Sequence, residues 1–144
     1  MELKDIIPQL FSTLFVFRDN VHNLHINCKW TGAMYYHKYL WEIYQRADDQ
    51  LDRIMERGRF WDIDTPTQYA EIQIASKLEA YPTIEKDVNL QKKIMKQDMD
   101  YLEWFLKVWE EASIKFDGVV NTKIIDFRDQ LGTYIYLNNL ELGV

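Results

Sequence analysis

Four long stretches of the chain have apolar residues at steps of three and four positions, the spacing that places them on one face of an α-helix. The first stretch is the most regular, with apolar residues at Leu3, Ile6, Ile7, Leu10, Leu14, Phe17, Val21 and Leu24. Similar stripes predict long helices over about residues 3–30, 33–57, 83–115 and 119–140, and a shorter helix over about 66–79. The pattern therefore predicts an all-α chain.

Residues that commonly begin or end helices lie between these stretches. Asp5 and Thr31 are suited to cap the first two helices, and Gly58 is suited to end the second. Pro66 directly follows Thr65, an arrangement that is typical of a helix start. The connection between the second and third long helices is the longest one. The elements therefore predict a four-helix bundle with one long connection that contains the short helix.

The composition indicates one helical domain over residues 1–144. Hydrophobic residues make up 47% of the chain, and there are only 5 glycines and 3 prolines. No apolar run approaches the roughly 20 residues of a membrane span, and the first residues lack the pattern of a secretion signal. Cys28 is the only cysteine, so no internal disulfide is possible and a cytoplasmic location is predicted.

The net charge of −6, from 23 acidic and 17 basic residues, argues against DNA binding. Affinity for the phosphate backbone comes from Lys and Arg, and Lys4 is the only basic residue at the start of the chain. We therefore expect no DNA binding. The acidic surface could gather cations or could serve only solubility.

The candidate chemistry lies between His25 and Glu56. His25 and His37 are twelve residues apart, and Asp52 and Glu56 follow His37 by fifteen and nineteen residues. On one helix, Asp52 and Glu56 lie about 60° and about 100° around the axis from His37, so the three share a polar stripe. Fifteen residues nevertheless span about 22 Å, whereas a metal holds its ligands at about 2.0–2.2 Å. Either the stripe is merely polar, or a second, antiparallel chain completes a metal site.

Simpler interpretations of these residues remain open. His22 and His25, three apart on one helix, are more often a surface pair than metal ligands. Cys28 is also three residues from His25, but no orienting acid or oxyanion site accompanies it, so nucleophilic catalysis is not predicted. The acids of the second helix could form a solvated, salt-bridged face. These acids are Asp48, Asp49, Asp52 and Glu56.

The spacing resembles the signature of the Dps mini-ferritins. The positions in register are His25, Asn27, Lys29, His37, Asp52 and Glu56, preceded by His22 and Asn23. The resemblance implies a ferritin-like four-helix bundle and a shell of twelve chains. It also implies an iron site between two subunits, which could take zinc as well. Its ligands would be His25 and His37 of one chain and Asp52 and Glu56 of the neighbour.

Other ferritin features are absent from the sequence. No Glu-x-x-His sequence occurs, which excludes the classical ferritin centre inside one bundle. The Lys-rich tail through which many Dps proteins bind DNA has no counterpart. Dps proteins usually have a further acid four residues after the second histidine, where this chain has Trp41. Because an indole donates hydrogen bonds and supplies no ligand, we expect at most one metal per site.

The leading prediction is an iron-binding and iron-storage protein that oxidises ferrous iron slowly, or not at all, at an inter-subunit site. Peroxide or oxygen is the oxidant that the resemblance implies. The alternative is a non-enzymatic Dps-like assembly with a structural or partner-binding role. Trp41 favours the alternative, and the histidine spacing favours the iron site.

Overall fold

The computed structural model describes residues 1–29, 32–81 and 86–144. These residues contain helices and no strand. The helices are α1 (Leu3–Ile26), α2 (Ala33–Phe60), α3 (Tyr69–Ala75), α4 (Val88–Ser113) and α5 (Gly118–Leu142). The predicted all-α fold is confirmed, with four long helices and a short helix between the second and third.

The four long helices pack into a ring around one core. α1 lies against α2, α3 and α4, and α5 closes the bundle against α4 and α2. Each long helix contributes fully buried side chains, among them Phe17, Leu40, Trp109 and Leu131, all 0% exposed. Complete burial of an apolar side chain of this size contributes about 1.5–3 kcal/mol. Among the described residues, no helix is long and apolar enough to cross a membrane.

Gly58 lies inside α2 and does not end it, so that prediction is wrong. A Cβ atom at this position would lie 3.1 Å from the Ile63 carbonyl oxygen and 3.3 Å from Cγ2 of Ile7. The Gly58 carbonyl oxygen also accepts a hydrogen bond from the Ile63 amide, at 2.8 Å. The missing side chain therefore allows close packing of the chain that follows α2, and the helix continues to Phe60.

The two ends of α1 also differ from the prediction. The helix ends at Ile26 rather than at residue 30, where the side chain of Asn27 donates a hydrogen bond to the Asn23 carbonyl at 2.7 Å. The N-cap residue is Glu2 rather than Asp5. Asp5 accepts a hydrogen bond from the Glu2 amide at 3.0 Å and so completes a capping box.

α3 is shorter than the predicted 66–79 at both ends: it begins at Tyr69, so Pro66 does not start it, and a turn follows Ala75. The Ser76 hydroxyl accepts from the Leu78 amide at 3.0 Å and donates to the Leu78 carbonyl at 2.7 Å. α4 begins at Val88, where the Asp87 carboxylate accepts from the Leu90 amide at 3.0 Å. The predicted cap Thr31 and the predicted start at residue 83 lie outside the described residues.

A polar cluster around the buried Asn20 side chain holds the long connection against α1 and α4. The Asn20 amide nitrogen donates to the Glu79 carbonyl at 2.9 Å and to Asp98 at 3.1 Å, and its oxygen accepts from the Tyr81 amide at 3.0 Å. The Tyr81 hydroxyl donates to Asp98 at 2.8 Å. Burial raises the pKa of Asp98 to about 6, although the hydrogen bonds from Tyr81 and Asn20 oppose the rise. We call these four residues the Asn20 cluster.

Candidate metal centre

The α1–α2 hairpin brings His25 and His37 into direct contact. His25 lies in the last turn of α1, His37 lies near the start of α2, and the two helices pack against each other. The two imidazole rings stack, with centroids 3.6 Å apart and planes inclined by 23°. The twelve-residue spacing therefore places both rings at one point of a single chain.

Each of the two histidines is held by the backbone of the other. His25 Nδ1 lies 2.8 Å from the His37 carbonyl oxygen, and His37 Nδ1 lies 2.8 Å from the His25 carbonyl oxygen. A carbonyl oxygen only accepts hydrogen bonds, so each Nδ1 carries the proton. In a neutral ring Nε2 then keeps its lone pair. Metal-binding histidines are commonly oriented by a hydrogen bond of this kind, from the second ring nitrogen to a backbone carbonyl.

The environment favours the neutral form of His25. Burial lowers its pKa, the hydrogen bond to the His37 carbonyl opposes that effect, and the nearby His37 and His22 lower the pKa further. A neutral imidazole is the form that ligates a metal. His25 is half-buried and His37 is exposed, so the pair is open on one side.

Further aromatic rings extend from the histidine pair along the α1–α2 surface. The Trp41 ring lies 5.3 Å from the His25 ring, and the Tyr44 ring stacks on Trp41 at 5.1 Å with an interplanar angle of 15°. The His22 ring lies 4.9 Å from Tyr44. We call His37, His25, Trp41, Tyr44 and His22 the ring row. The resemblance to the Dps proteins predicted an acid at position 41, but this position holds an indole that packs beside His25.

No carboxylate joins the two histidines within one chain. In residues 1–29, 32–81 and 86–144, no group of three or more His, Cys, Asp or Glu side chains is placed to hold a metal ion. Asp52 and Glu56 are exposed on α2, about 22 Å or more along the axis from His37. Within one chain, the histidine pair at the α1–α2 junction and the two carboxylates of α2 therefore lie far apart.

The neighbouring acids are engaged elsewhere. Asp48 forms an ion pair with Arg18 of α1 at 2.8 Å, and Asp49 pairs with Arg53 at 3.0 Å. The salt-bridged interpretation is therefore correct for these two acids. In the described part of the chain, Asp52 and Glu56 form no ion pair, so their carboxylates remain available to another partner.

Sequence reasoning missed the ring row. Tyr44 is half-buried and stacks on Trp41. The available signal was the three-residue spacing of Trp41 and Tyr44 and of His22 and His25, which places each pair on one helix face. Contacts between the two pairs depend on how α1 packs on α2, which the spacing does not specify.

Solved structures match the whole fold. The chain is similar to antigen TpF1 from Treponema pallidum, with a TM-score of 0.91 and 22% identity over 99% of this chain and 92% of that one. It is similar to Dps from Listeria monocytogenes, with a TM-score of 0.92 and 18% identity over 99% and 94%. It is also similar to a Listeria innocua Dps variant with two histidine-to-glycine substitutions, with a TM-score of 0.93 and 17% identity over 100% and 96%.

No protein-family model matches the chain, and neither does any curated protein. The class defined by the helices is the ferritin-like four-helix bundle. Within that class, the chain has the fold of the Dps mini-ferritins, including the short helix α3 in the connection between α2 and α4.

Proposed function

We propose that this chain is a divergent Dps mini-ferritin that binds ferrous iron at a site shared by two chains. His25 and His37 of one chain and Asp52 and Glu56 of its neighbour are the proposed ligands. The chain would act as a homo-oligomer, with twelve chains as the expected number. Iron is the substrate of the assembly, and oxidised iron is the stored product.

The reciprocal hydrogen bonds of His25 and His37 carry this proposal. Each Nδ1–H donates to a backbone carbonyl at 2.8 Å, which leaves both Nε2 atoms as the remaining ring positions for a metal. The carboxylates must come from a neighbour, because about 22 Å of α2 separates Asp52 from His37 within one chain.

One structural relative has the same histidine spacing. The two substituted histidines of the Listeria innocua variant are twelve positions apart, the same separation as His25 and His37. A mixed set of imidazoles and carboxylates suits ferrous iron and also zinc. Trp41 beside His25 supplies no ligand, so we expect one iron per site and slow oxidation by peroxide or oxygen.

A second function is favoured by the position of Trp41. Its ring packs against His25 and is 38% exposed, so it could belong to a contact surface between chains that holds no metal. The chain would then be a Dps-like assembly with a structural or partner-binding role.

Subunit mixing tests the shared site. His37→Ala and Asp52→Asn are each expected to lose anaerobic ferrous iron binding, measured by titration of the assembled protein. In a two-fold pair, one mixed dimer contains one site with both changes and one intact site. Random mixing of the two variants should therefore restore about one quarter of the native sites. A site built within one chain would regain none.

Asp49→Asn is the matched control, because Asp49 is an exposed acid of the same helix that pairs with Arg53. It should bind iron as the native protein does. Native binding by Asp52→Asn would contradict the proposed carboxylate ligand. An oligomer that binds no ferrous iron, and shows no ferric absorbance after aerobic iron addition, would leave the non-enzymatic assembly as the function.

A further inference from the structure

A metal site shared by two chains fixes how their α2 helices meet. In a two-fold pair the contacts are reciprocal, and the axis passes midway between two positions that meet. In the proposed site, His37 meets Asp52 and Glu56 of the neighbour. The axis then crosses α2 halfway between these positions, between Tyr44 and Ala47. Residues on the contact face of α2 near this axis therefore lie close to their own copies.

Asp48 lies near that axis and on the contact face. It follows His37 by eleven residues, which places it only about 20° around the helix from that histidine. It is one to four residues from the axis, a distance of about 6 Å or less along α2. Its side chain is 54% exposed. The carboxylates of Asp48 and of its copy therefore approach the same point from opposite sides.

Arg18 of α1 brings the opposite charge to the same place. Its Nη1 donates to Asp48 Oδ1 at 2.8 Å, and its guanidinium lies 4.5 Å from the centre of the Phe15 ring. Nε and Nη2 lie 3.4 Å from Asp19. A guanidinium has five N–H donors, so Arg18 can serve a further carboxylate. In the described part of the chain, the second oxygen of Asp48 accepts no hydrogen bond. Each chain therefore presents a spare donor and a spare acceptor near the axis.

We propose that the Arg18–Asp48 pairs of two chains meet at the two-fold axis and form a ring of four alternating charges. Arg18 of each chain donates to its own Asp48 and to the Asp48 of the neighbour. The proposal rests on the proposed function, because the shared site supplies the register of the two helices. The charge ring in turn holds that register, so Arg18 and Asp48 are positioning residues for the metal site.

The value of these charges depends on the second chain. An exposed ion pair within one chain contributes little to stability. Across an interface, opposite charges that meet fix the register, and like charges that meet oppose association strongly. A shift of one helical turn, about 5.4 Å, would move each Asp48 away from the neighbour's guanidinium and each His37 away from the neighbour's carboxylates. The charge ring and the metal site therefore require the same alignment of the two helices.

Charge reversal in separate chains tests the charge ring. Arg18→Glu leaves only carboxylates at the axis, and Asp48→Arg leaves an excess of guanidinium groups, so each variant alone should pair poorly. In a mixture, one variant brings the carboxylates and the other brings the guanidinium groups. Mixed pairs should then exceed same-variant pairs by roughly tenfold or more, whereas indifferent mixing gives roughly half mixed pairs. Native mass spectrometry of the metal-free protein, with one variant carrying a mass tag, counts the pairs.

Two further measurements do not depend on reversed charges. Arg18→Gln and Asp48→Asn introduce no like charge, and each should weaken native pairing by roughly tenfold. That difference should shrink in about 1 M salt, which screens charges beyond about 3 Å. The mixed assembly of the two reversal variants should also bind ferrous iron better than either variant alone, because all four proposed ligands are unchanged.

Asp49 and Arg53 provide the matched control. They form an ion pair on the same helix at 3.0 Å, but they lie about 120° and about 160° around α2 from His37. Asp49→Arg and Arg53→Glu reverse the same kinds of charge away from the contact face. Each control variant should pair as the native protein does, and their mixture should give roughly half mixed pairs.

The outcomes separate the charge ring from the proposed function. Indifferent mixing of Arg18→Glu with Asp48→Arg would overturn the ring, and iron binding by the native protein would still support the shared metal site. An equal preference for mixed pairs in the control mixture would also overturn the ring. Selective mixed pairing without ferrous iron binding by the native protein would support the ring and overturn the proposed function. A native protein that remains monomeric at every concentration would overturn both.

Discussion

Two side-chain clusters that include residues of α1 differ in how completely their polar groups are hydrogen-bonded. The Asn20 cluster faces α4 and the long connection, and its four groups hydrogen-bond one another within one chain. The ring row lies on the α2 side of the same helix, where His37 and Trp41 remain exposed. The Asn20 cluster is centred on a buried side chain and its polar groups are paired, whereas the ring row is open to solvent.

The difference separates residues that stabilise the fold from residues that remain free to contact a ligand or a second chain. A buried polar group without a partner costs about 1–3 kcal/mol, so the Asn20 cluster has to be complete before the bundle is stable. The ring row can remain open, since water solvates what the chain leaves unpaired. An open set of oriented side chains is what a ligand or a second chain requires. Substitutions in the two clusters should therefore change different properties.

Asn20→Leu should have the largest effect. It leaves the Tyr81 amide and the Glu79 carbonyl without their hydrogen bonds to Asn20, and it removes one of the two hydrogen bonds that Asp98 accepts. We expect a loss of about 3–5 kcal/mol in the free energy of unfolding, measured with urea. Asn23→Leu, the same change at an exposed position of α1, should alter it by about 0.5 kcal/mol or less.

His37→Ala is the counterpart in the ring row. Because His37 is exposed, the free energy of unfolding should change by about 1 kcal/mol or less, while iron binding is lost. The comparison fails if His37→Ala destabilises the fold as much as Asn20→Leu does.

A further prediction concerns the pH dependence of the free energy of unfolding. The pKa of Asp98 is raised from 3.8 to about 6 by burial, so the folded chain binds this proton more tightly than the unfolded chain. The stabilisation is therefore fully present below about pH 4 and is lost as the pH rises through about 6. Its size is on the order of 3 kcal/mol.

Asp98→Asn removes this dependence, because the amide does not ionise. Urea unfolding between pH 4 and 7 should give a flatter curve for the variant than for the native protein. Asp100→Asn, at an exposed acid of the same helix that pairs with Lys96, should follow the native curve. Parallel curves for Asp98→Asn and the native protein would show that the carboxyl does not titrate in this range.

Trp41→Asp should change the free energy of unfolding only slightly and metal binding more. Loss of the stacking contacts with His25 and Tyr44 should cost about 1 kcal/mol. The new carboxylate would lie beside His25, so the number of metals bound per site should rise from one toward two and iron oxidation should accelerate. Trp104→Asp is the control. If the native protein already oxidises two irons per site rapidly, the argument from Trp41 is wrong.

The sequence predicted the features that depend on local periodicity. The helices follow from apolar spacing. The joint role of His25 and His37 was implied only by the resemblance, and the contact between their rings depends on how α1 packs on α2. The Asn20 cluster had no such signal, because its partners lie 59 to 78 residues away in the chain. Gly58 was misassigned because close packing against Ile7 and Ile63 depends on tertiary contacts. The ligand roles of Asp52 and Glu56 stay predictions.

The mutual hydrogen bonds of His25 and His37 have a consequence for the timing of metal capture. Both rings are fixed by the backbone before an ion arrives, so their loss of rotamer freedom belongs to folding and is not repeated on binding. The exposed carboxylates proposed to complete the site belong to another molecule and become ordered only when chains meet. Occupancy should therefore rise with protein concentration as well as with ion concentration, until association of the chains is complete.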